Sequence, residues 1–225
     1  MALEITDLLE KYAAPSIDKQ YAFEVVTDVS RWSFDADAGT IQFADGQVFS
    51  VQVMGIEDLG SNTWTWAWAD EENDLPENST EWSRVLRDYG SRHNIRGFTV
   101  PQLNLTELGG HILSIIGSGI CEAVAYFQAS YEGGSVFLLI EPGADMPEPE
   151  PETSSLRVLG VFSKIVQTFR VNNRRAFMAY MEYKGYPYKA NQYSVRAQTP
   201  YGEDILASFG SQDRLTYIKA LPRAL

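Results

Sequence analysis

The stretch TWTWAWAD, residues 63–70, sets Trp64, Trp66 and Trp68 at every second position. A period of two is strand geometry, which places alternate side chains on one face about 6.8 Å apart. Three indoles then form one row, with Thr63, Thr65, Ala67 and Ala69 on the opposite face. Burying an indole removes about 150–250 Å² from water, and at about 25 cal/mol per Å² three of them contribute several kcal/mol. The row is therefore expected first in a core or a subunit interface, and second as the wall of a ligand cleft with Trp32 or Trp82 nearby. Small residues opposite the indoles predict that another element, the first helix, packs closely on that side.

The chain around this strand reads as α+β. ALEITDLLEKYA has apolar residues at helical spacing, and Pro15 suits the first turn of a second helix toward Thr27, so two helical pieces or one kinked helix open the chain. RWSFD, TIQFAD, QVFSVQVMGIE and TWTWAWA, separated by turn residues, predict a four-stranded antiparallel meander. Residues 79–92 read as a helix capped at Ser79 or Thr80 and closing near Gly90, and a further helix is predicted from Asn104 or Thr106 to about Ser118. CEAVAYFQASY and SVFLLIE then form a hairpin around Glu132, Gly133 and Gly134.

The compositional break is MPEPEPETSS, where alternating Pro and Glu favour an extended, self-repelling segment. It divides the sequence into an acidic α+β domain (1–145), a linker (146–155) and a basic α+β domain (156–225) of two helices and three short strands. Residues 1–153 hold 7 Lys+Arg against 26 Asp+Glu, net −19, and residues 154–225 hold 11 against 4, net +7, which together recover the −12 of the whole chain. The acidic first part repels nucleic acid and anionic lipid, whereas the basic second part could attract either, dock electrostatically on its neighbour or on another subunit of a homo-oligomer, or carry a solvated charge without a role. Docking is the first expectation, and neither nucleic acid nor membrane is expected as a partner. With one cysteine, Cys121, and an opening that lacks the basic and apolar regions of a signal peptide, a cytoplasmic protein is expected.

Taken in order behind an N-terminal helix, the strands WSFDADAGTIQF, VFSVQVMGI and TWTWAWAD resemble a bacterial family of uncharacterised proteins, a domain of unknown function. Its recognisable element is similar to Trp-x-Trp-Ala-Trp followed by Ala and a polar residue, here Trp64 to Asp70. The resemblance covers most of residues 1–142, and more loosely GEDILASFGSQDRLTYI. It implies no activity and no site residues. Where the family usually has Asn after the last Trp-Ala pair, this chain has Asp70.

Few residues offer catalytic chemistry. Only His93 and His111 could serve as an imidazole base. IGSGI around Ser118 lacks the outer glycines and the preceding strand of a nucleophile elbow. Cys121 stands between a helix and an apolar strand, in a strongly acidic half that disfavours a thiolate. Two histidines 18 positions apart and one cysteine do not make a zinc site. FDADAG opens like a calcium loop but has Thr40 and Gly46 where Gly and Glu are needed, so it reads as a turn. GSGICE lacks the Lys and third Gly of a phosphate loop. Neither catalytic residues, nor a metal, nor a cofactor is expected.

The first functional expectation is a non-catalytic interaction module, of the acidic immunity kind, whose loop residues Asp70, Glu71, Glu72, Asp74 and Glu77 meet a basic protein partner. The second is a module binding a small apolar ligand in a pocket lined by Trp64, Trp66, Trp68, Trp32 and Trp82. The third is a hydrolase working with acidic residues alone.

Overall fold

A computed structural model describes residues 3–71, 75–143 and 154–222. The expected linker lies largely outside the described residues, as do Glu72 and Asp74. The chain forms two compact units: unit 1 comprises Met1–Ile5 and Lys19–Pro147, and unit 2 comprises Thr6–Asp18 and Glu148–Leu225. The architecture is α+β. The opening segment is one helix, α1 (Ile5–Val26), with Pro15 inside it, rather than two pieces. Its first half belongs to unit 2 and its second half to unit 1.

Unit 1 contains the predicted meander, β1 (Trp32–Asp35), β2 (Thr40–Phe43), β3 (Val48–Asp58) and β4 (Thr63–Trp66), each antiparallel to the next. Two helices follow, α2 (Glu81–His93) and the short α3 (Arg96–Thr99). Gly90 does not close α2; the helix runs on to Asn94, which takes the left-handed cap conformation at φ 57°. Gly90 is an interior contact instead, since a Cβ there would lie 2.5 Å from Cβ of Phe98. Asn104, expected to start a helix, ends an edge strand, β5 (Gln102–Asn104), which pairs with β4. Helix α4 (Gly110–Ile120) begins later, and its Gly110 N–H donates to Glu57 Oε1 at 2.6 Å. That carboxylate satisfies one of the donors an N-terminus leaves free. The hairpin β6 (Ala125–Tyr131) and β7 (Gly134–Ile140) joins through β7 to β3, so that among the described residues this sheet has seven strands.

The register sorts residues between the two faces of this sheet. Gly55 and Glu57 lie opposite Trp66 and Trp64, and Phe137 opposite Gly55, so these share one face. Against that face pack α2 and α4: a Cβ on Gly117 would lie 2.8 Å from Met54 Sδ and 3.2 Å from Leu86. The other face carries an apolar cluster of Ile41, Phe43, Val51, Val53, Leu138 and Ile140, closed by Phe23 of α1. Ala67 belongs to this cluster, but Thr63, Thr65 and Ala69, where the first helix is expected, line a cavity instead.

Unit 2 holds the second pair of helices, α5 (Ser154–Thr168) and α6 (Asn173–Tyr183), and an antiparallel sheet. Among the described residues that sheet has four strands rather than three, β8 (Tyr188–Ala190), β9 (Ser194–Gln198), β10 (Glu203–Phe209) and β11 (Leu215–Pro222), in the order β11-β10-β9-β8. Phe162, Phe177 and Tyr180 are fully buried. Carboxylates of α1 occupy the inside of this unit. Asp18, whose side chain is 5% exposed, pairs with Arg157 and, at 3.1 Å, with Lys184 Nζ. Glu10 accepts the Asn172 N–H at 2.9 Å and pairs with Arg175, which also reaches Asp7 at 2.6 Å.

This arrangement redistributes the charge. Counted by compact unit rather than at the Pro/Glu segment, unit 1 has 6 Lys+Arg against 20 Asp+Glu, net −14, and unit 2 has 12 against 10, net +2.

Candidate functional site

The row of three indoles is a row of two. β4 ends at Trp66, and the chain turns through a single 3-10 turn at Ala67–Ala69. The cause is the neighbouring strand. Trp66 N–H donates to the carbonyl of Pro101 at 3.1 Å, and Pro101 has no N–H to return, so the ladder stops there. Trp68 N–H is taken instead by Ser83 Oγ of α2 at 3.1 Å, and its ring lies under the Arg87 guanidinium at 5.6 Å.

Trp64 and Trp66 are closed to solvent. Trp64 meets Phe137 and Trp66 edge-on at 5.4 Å each, Trp66 meets Phe98 at 5.6 Å, and Trp66 Nε1 donates to the Gly97 carbonyl at 3.0 Å. The indole face is core, not the wall of a cleft. Trp32, 37% exposed, packs edge-on against Phe127 on an edge strand, and Trp82 is a half-buried residue of α2. The structure does not gather the five indoles around one cleft.

The cavity of β4 lies on its other face. About 600 Å³ in volume, it is floored by Thr63 and Thr65 of β4, Ile56 of β3 and Gln102 of β5. Ile56 stands opposite Thr65 in the ladder, and Thr65 opposite Gln102, so the floor is one continuous patch of sheet surface. Its polar groups are tied together: Gln102 Nε2 donates to Thr65 Oγ1 at 3.2 Å, and the hydroxyls of Ser61 and Thr63 lie 2.6 Å apart.

Carboxylates and a phenol form the rim. Asp58 ends β3, and its Oδ1 accepts the N–H groups of Gly60 at 2.7 Å and Ser61 at 3.1 Å. Those two bonds hold its carboxyl below the usual range of 3.8 and keep the charge on the rim at low pH. Asp70 and Glu71 enter from the segment after the 3-10 turn, and Tyr131 from the end of β6. Tyr131 can lie over the sheet because Gly134 opposite has no side chain; a Cβ there would come within 2.9 Å of the phenol oxygen and 2.1 Å of the Glu57 carbonyl. Burial, and then the charges of Asp58 and Asp70, push the Tyr131 hydroxyl up from 10.0, so it remains a neutral donor at physiological pH.

Of the acidic residues expected to meet a partner, Asp70 and Glu71 line this cavity, whereas Glu77 pairs with Arg84 at 3.4 Å and lies outside it. The residues that sequence reasoning passed over are Thr63, Thr65, Asp58, Gln102 and Tyr131. For the threonines the signal was present, since alternation that buries the indoles must expose the positions between them.

Cys121 and His111 stand at opposite ends of α4, about 15 Å apart at 1.5 Å per residue. Burial pushes the Cys121 thiol up to about 12, which leaves it protonated at neutral pH. His111 meets Phe137 and Tyr126 edge-on at 5.5 and 6.1 Å, and His93 lies against Tyr89 at 4.3 Å. Among the described residues, no group of three or more His, Cys, Asp or Glu is placed to hold a metal ion, and no helix is long and apolar enough to cross a membrane.

A family model matches residues 6–142, more than half of the chain. The chain belongs to DUF6882, a family of unknown function. The DUF6882 match takes in α1, the meander with its Trp strand and the hairpin, and it ends before α5, α6 and the four-stranded sheet. No curated protein and no solved structure matches the chain.

Proposed function

We propose that unit 1 is a non-catalytic binding module that receives a cationic group, a lysine or arginine side chain of a basic protein partner, on the Thr63/Thr65/Gln102 patch. The observation that carries this reading is the cavity itself: a floor of hydroxyls and an amide, with Asp58, Asp70 and Glu71 on its rim, in a unit of net charge −14. The hydroxyl and amide oxygens accept hydrogen bonds, the carboxylates supply opposing charge, and the summed field of the unit draws a basic partner toward it. The same reading makes this a cytoplasmic bacterial protein of the immunity kind, supported by the lone cysteine and the acidity. In it the Trp-x-Trp-Ala-Trp element acts as a family signature because its first two indoles are core. Asp70 is a charged departure from the asparagine the resemblance expects, and so tunes this chain toward a cation.

The test is titration of the full chain with argininamide and with a Lys/Arg-rich peptide, followed by backbone amide shifts. The expected result is perturbation centred on residues 63–65 and 102, weakened by raised salt and by Asp70→Asn, Glu71→Gln and Thr65→Val. Shifts spread over the acidic surface without a focus on the cavity would sink the reading. A hydrolase working with acids alone would draw on the same three carboxylates and would show turnover that Asp70→Asn abolishes.

A further inference from the structure

Unit 2 contains a cavity of its own, about 840 Å³ in volume, between the end of α5, the start of α6 and the β10–β11 turn. Its lining differs in sign from the cavity of unit 1. Arg170 and Arg214 both line it, together with Gln167, Gln212 and the apolar residues Phe169 and Leu215.

The arginines of this unit show why that pair matters. Arg157 is held by Asp18, Arg175 by Asp7 and Glu10, and Arg196 by Asp204 at 2.7 Å. Arg174 donates to the carbonyls of Asn191 and Gln192 and lies over the Phe209 ring at 5.7 Å. Among the described residues, Arg170 and Arg214 have no carboxylate within ion-pair distance, and both line the same cavity. The nearby acids are already engaged: Glu10 by Arg175 and the Asn172 N–H, and Asp213 by Asn172 Nδ2 at 3.0 Å.

The turn that presents Arg214 is held in place. Gln212 and Asp213 are successive non-glycine residues in the left-handed region, at φ 56° and 55°, a conformation that carries strain and needs outside support. Asn172 supplies it through Asp213, and the buried Asn173 through its Oδ1, which accepts the Leu215 N–H at 2.9 Å. Two adjacent asparagines at the start of α6 thus clamp the turn that carries Gln212 and Arg214 to the cavity edge.

We propose that this cavity binds a small organic anion, a phosphoryl or carboxyl head met by the guanidinium groups of Arg170 and Arg214 on a body that rests against Phe169 and Leu215. Guanidinium forks match both oxyanions, and the volume exceeds what a bare phosphate fills. A net charge of only +2 over the unit favours a small anion recognised locally over a polyanion drawn by a broad field.

Calorimetric titration of the full chain with inorganic phosphate and, separately, with citrate tests this, with amide shifts read alongside. The expected result is saturable binding of at least one probe, with shifts confined to 166–173 and 212–215. Arg170→Ala and Arg214→Ala should each weaken it about tenfold or more, the loss expected for one charge-assisted contact. Lys164→Ala, which removes the same charge from an exposed position on α5 away from the cavity, should leave it unchanged. Preference for phosphate or for citrate would each support the site and name its head group. Absence of saturable binding by either probe, shifts centred elsewhere, or an equal loss in Lys164→Ala would overturn it. The outcome is independent of unit 1, whose cavity shares no residue with this one.

Discussion

In unit 1 the acidic side chains lie mostly on the outside of an aromatic core, whereas in unit 2 carboxylates are drawn inside and neutralised there. The ion pairs of unit 1, Arg84–Glu77 and Arg87–Asp88, join partly or fully exposed groups and contribute little. Those of unit 2 involve Asp18, Glu10 and Asp204, with side chains 5%, 7% and 4% exposed. Unit 1 therefore carries a net charge of −14 that ion pairs among the described residues barely offset. Among the described residues, unit 2 ties Arg157, Arg175, Lys184 and Arg196 to carboxylates and leaves Arg170 and Arg214, both at one cavity, without one.

The contrast breaks most sharply at the cores. Trp66→Ala should destabilise unit 1 by about 3–5 kcal/mol, the range for truncating a buried aromatic, and denaturant unfolding followed by amide exchange should show unit 1 opening while unit 2 keeps its protection. The matching experiment in unit 2 is Asp18→Asn. It leaves Arg157 and Lys184, each about 15% exposed, without their buried counter-charge, and should cost about 3 kcal/mol, near the low end for breaking a buried pair. Its effect should fall on amides of α5 and α6. Gly55→Ala comes next: its Cβ would meet the Trp64 ring at 2.3 Å and the Thr65 carbonyl at 2.6 Å, so overpacking of about 1–3 kcal/mol is expected in the same melts.

The smallest effect distinguishes the units by pH. Asp28, Asp45 and Asp58, all in unit 1, accept hydrogen bonds in turns that hold their carboxyls below 3.8. A carboxyl depressed in the folded state stabilises the fold fully above the unfolded value, and that contribution disappears as pH falls through the folded values. Acidification below about 3.8 should therefore weaken unit 1, and Asp45→Asn should flatten that dependence in a circular dichroism titration. An unchanged profile would show that these turns do not set the acid limit.

Much of the fold was legible because its signals are local. The period of two in β1 to β4, the glycine turn at Gly133, and the amphipathic spacing of α5 and α6 depend on neighbours in sequence. Boundaries failed where distant residues intervened: Gly90 reads as a terminator but is a contact with Phe98, and Asn104 reads as a cap but pairs in the sheet. The candidate site was half legible. Asp70 and Glu71 stood out as acids, but Tyr131 and Gln102 reach the same patch from 61 and 32 positions beyond Asp70, a proximity that strand pairing creates.

The sequence by itself determined that the two faces of TWTW must differ, because indole and threonine alternate, and that acids crowd the region before the Pro/Glu segment. Only the tertiary structure decided which face is closed. Gly97 and Phe98 of α3 lie against Trp66 and Gly110 of α4 against Trp64, while the Phe23 cluster covers only part of the other face and leaves Thr63 and Thr65 at a cavity. It also decided that the first half of α1 belongs with the C-terminal unit. Helical periodicity marks a face to be buried but not the surface that buries it, and for Asp7, Glu10 and Asp18 the partners stand about 140–170 positions away.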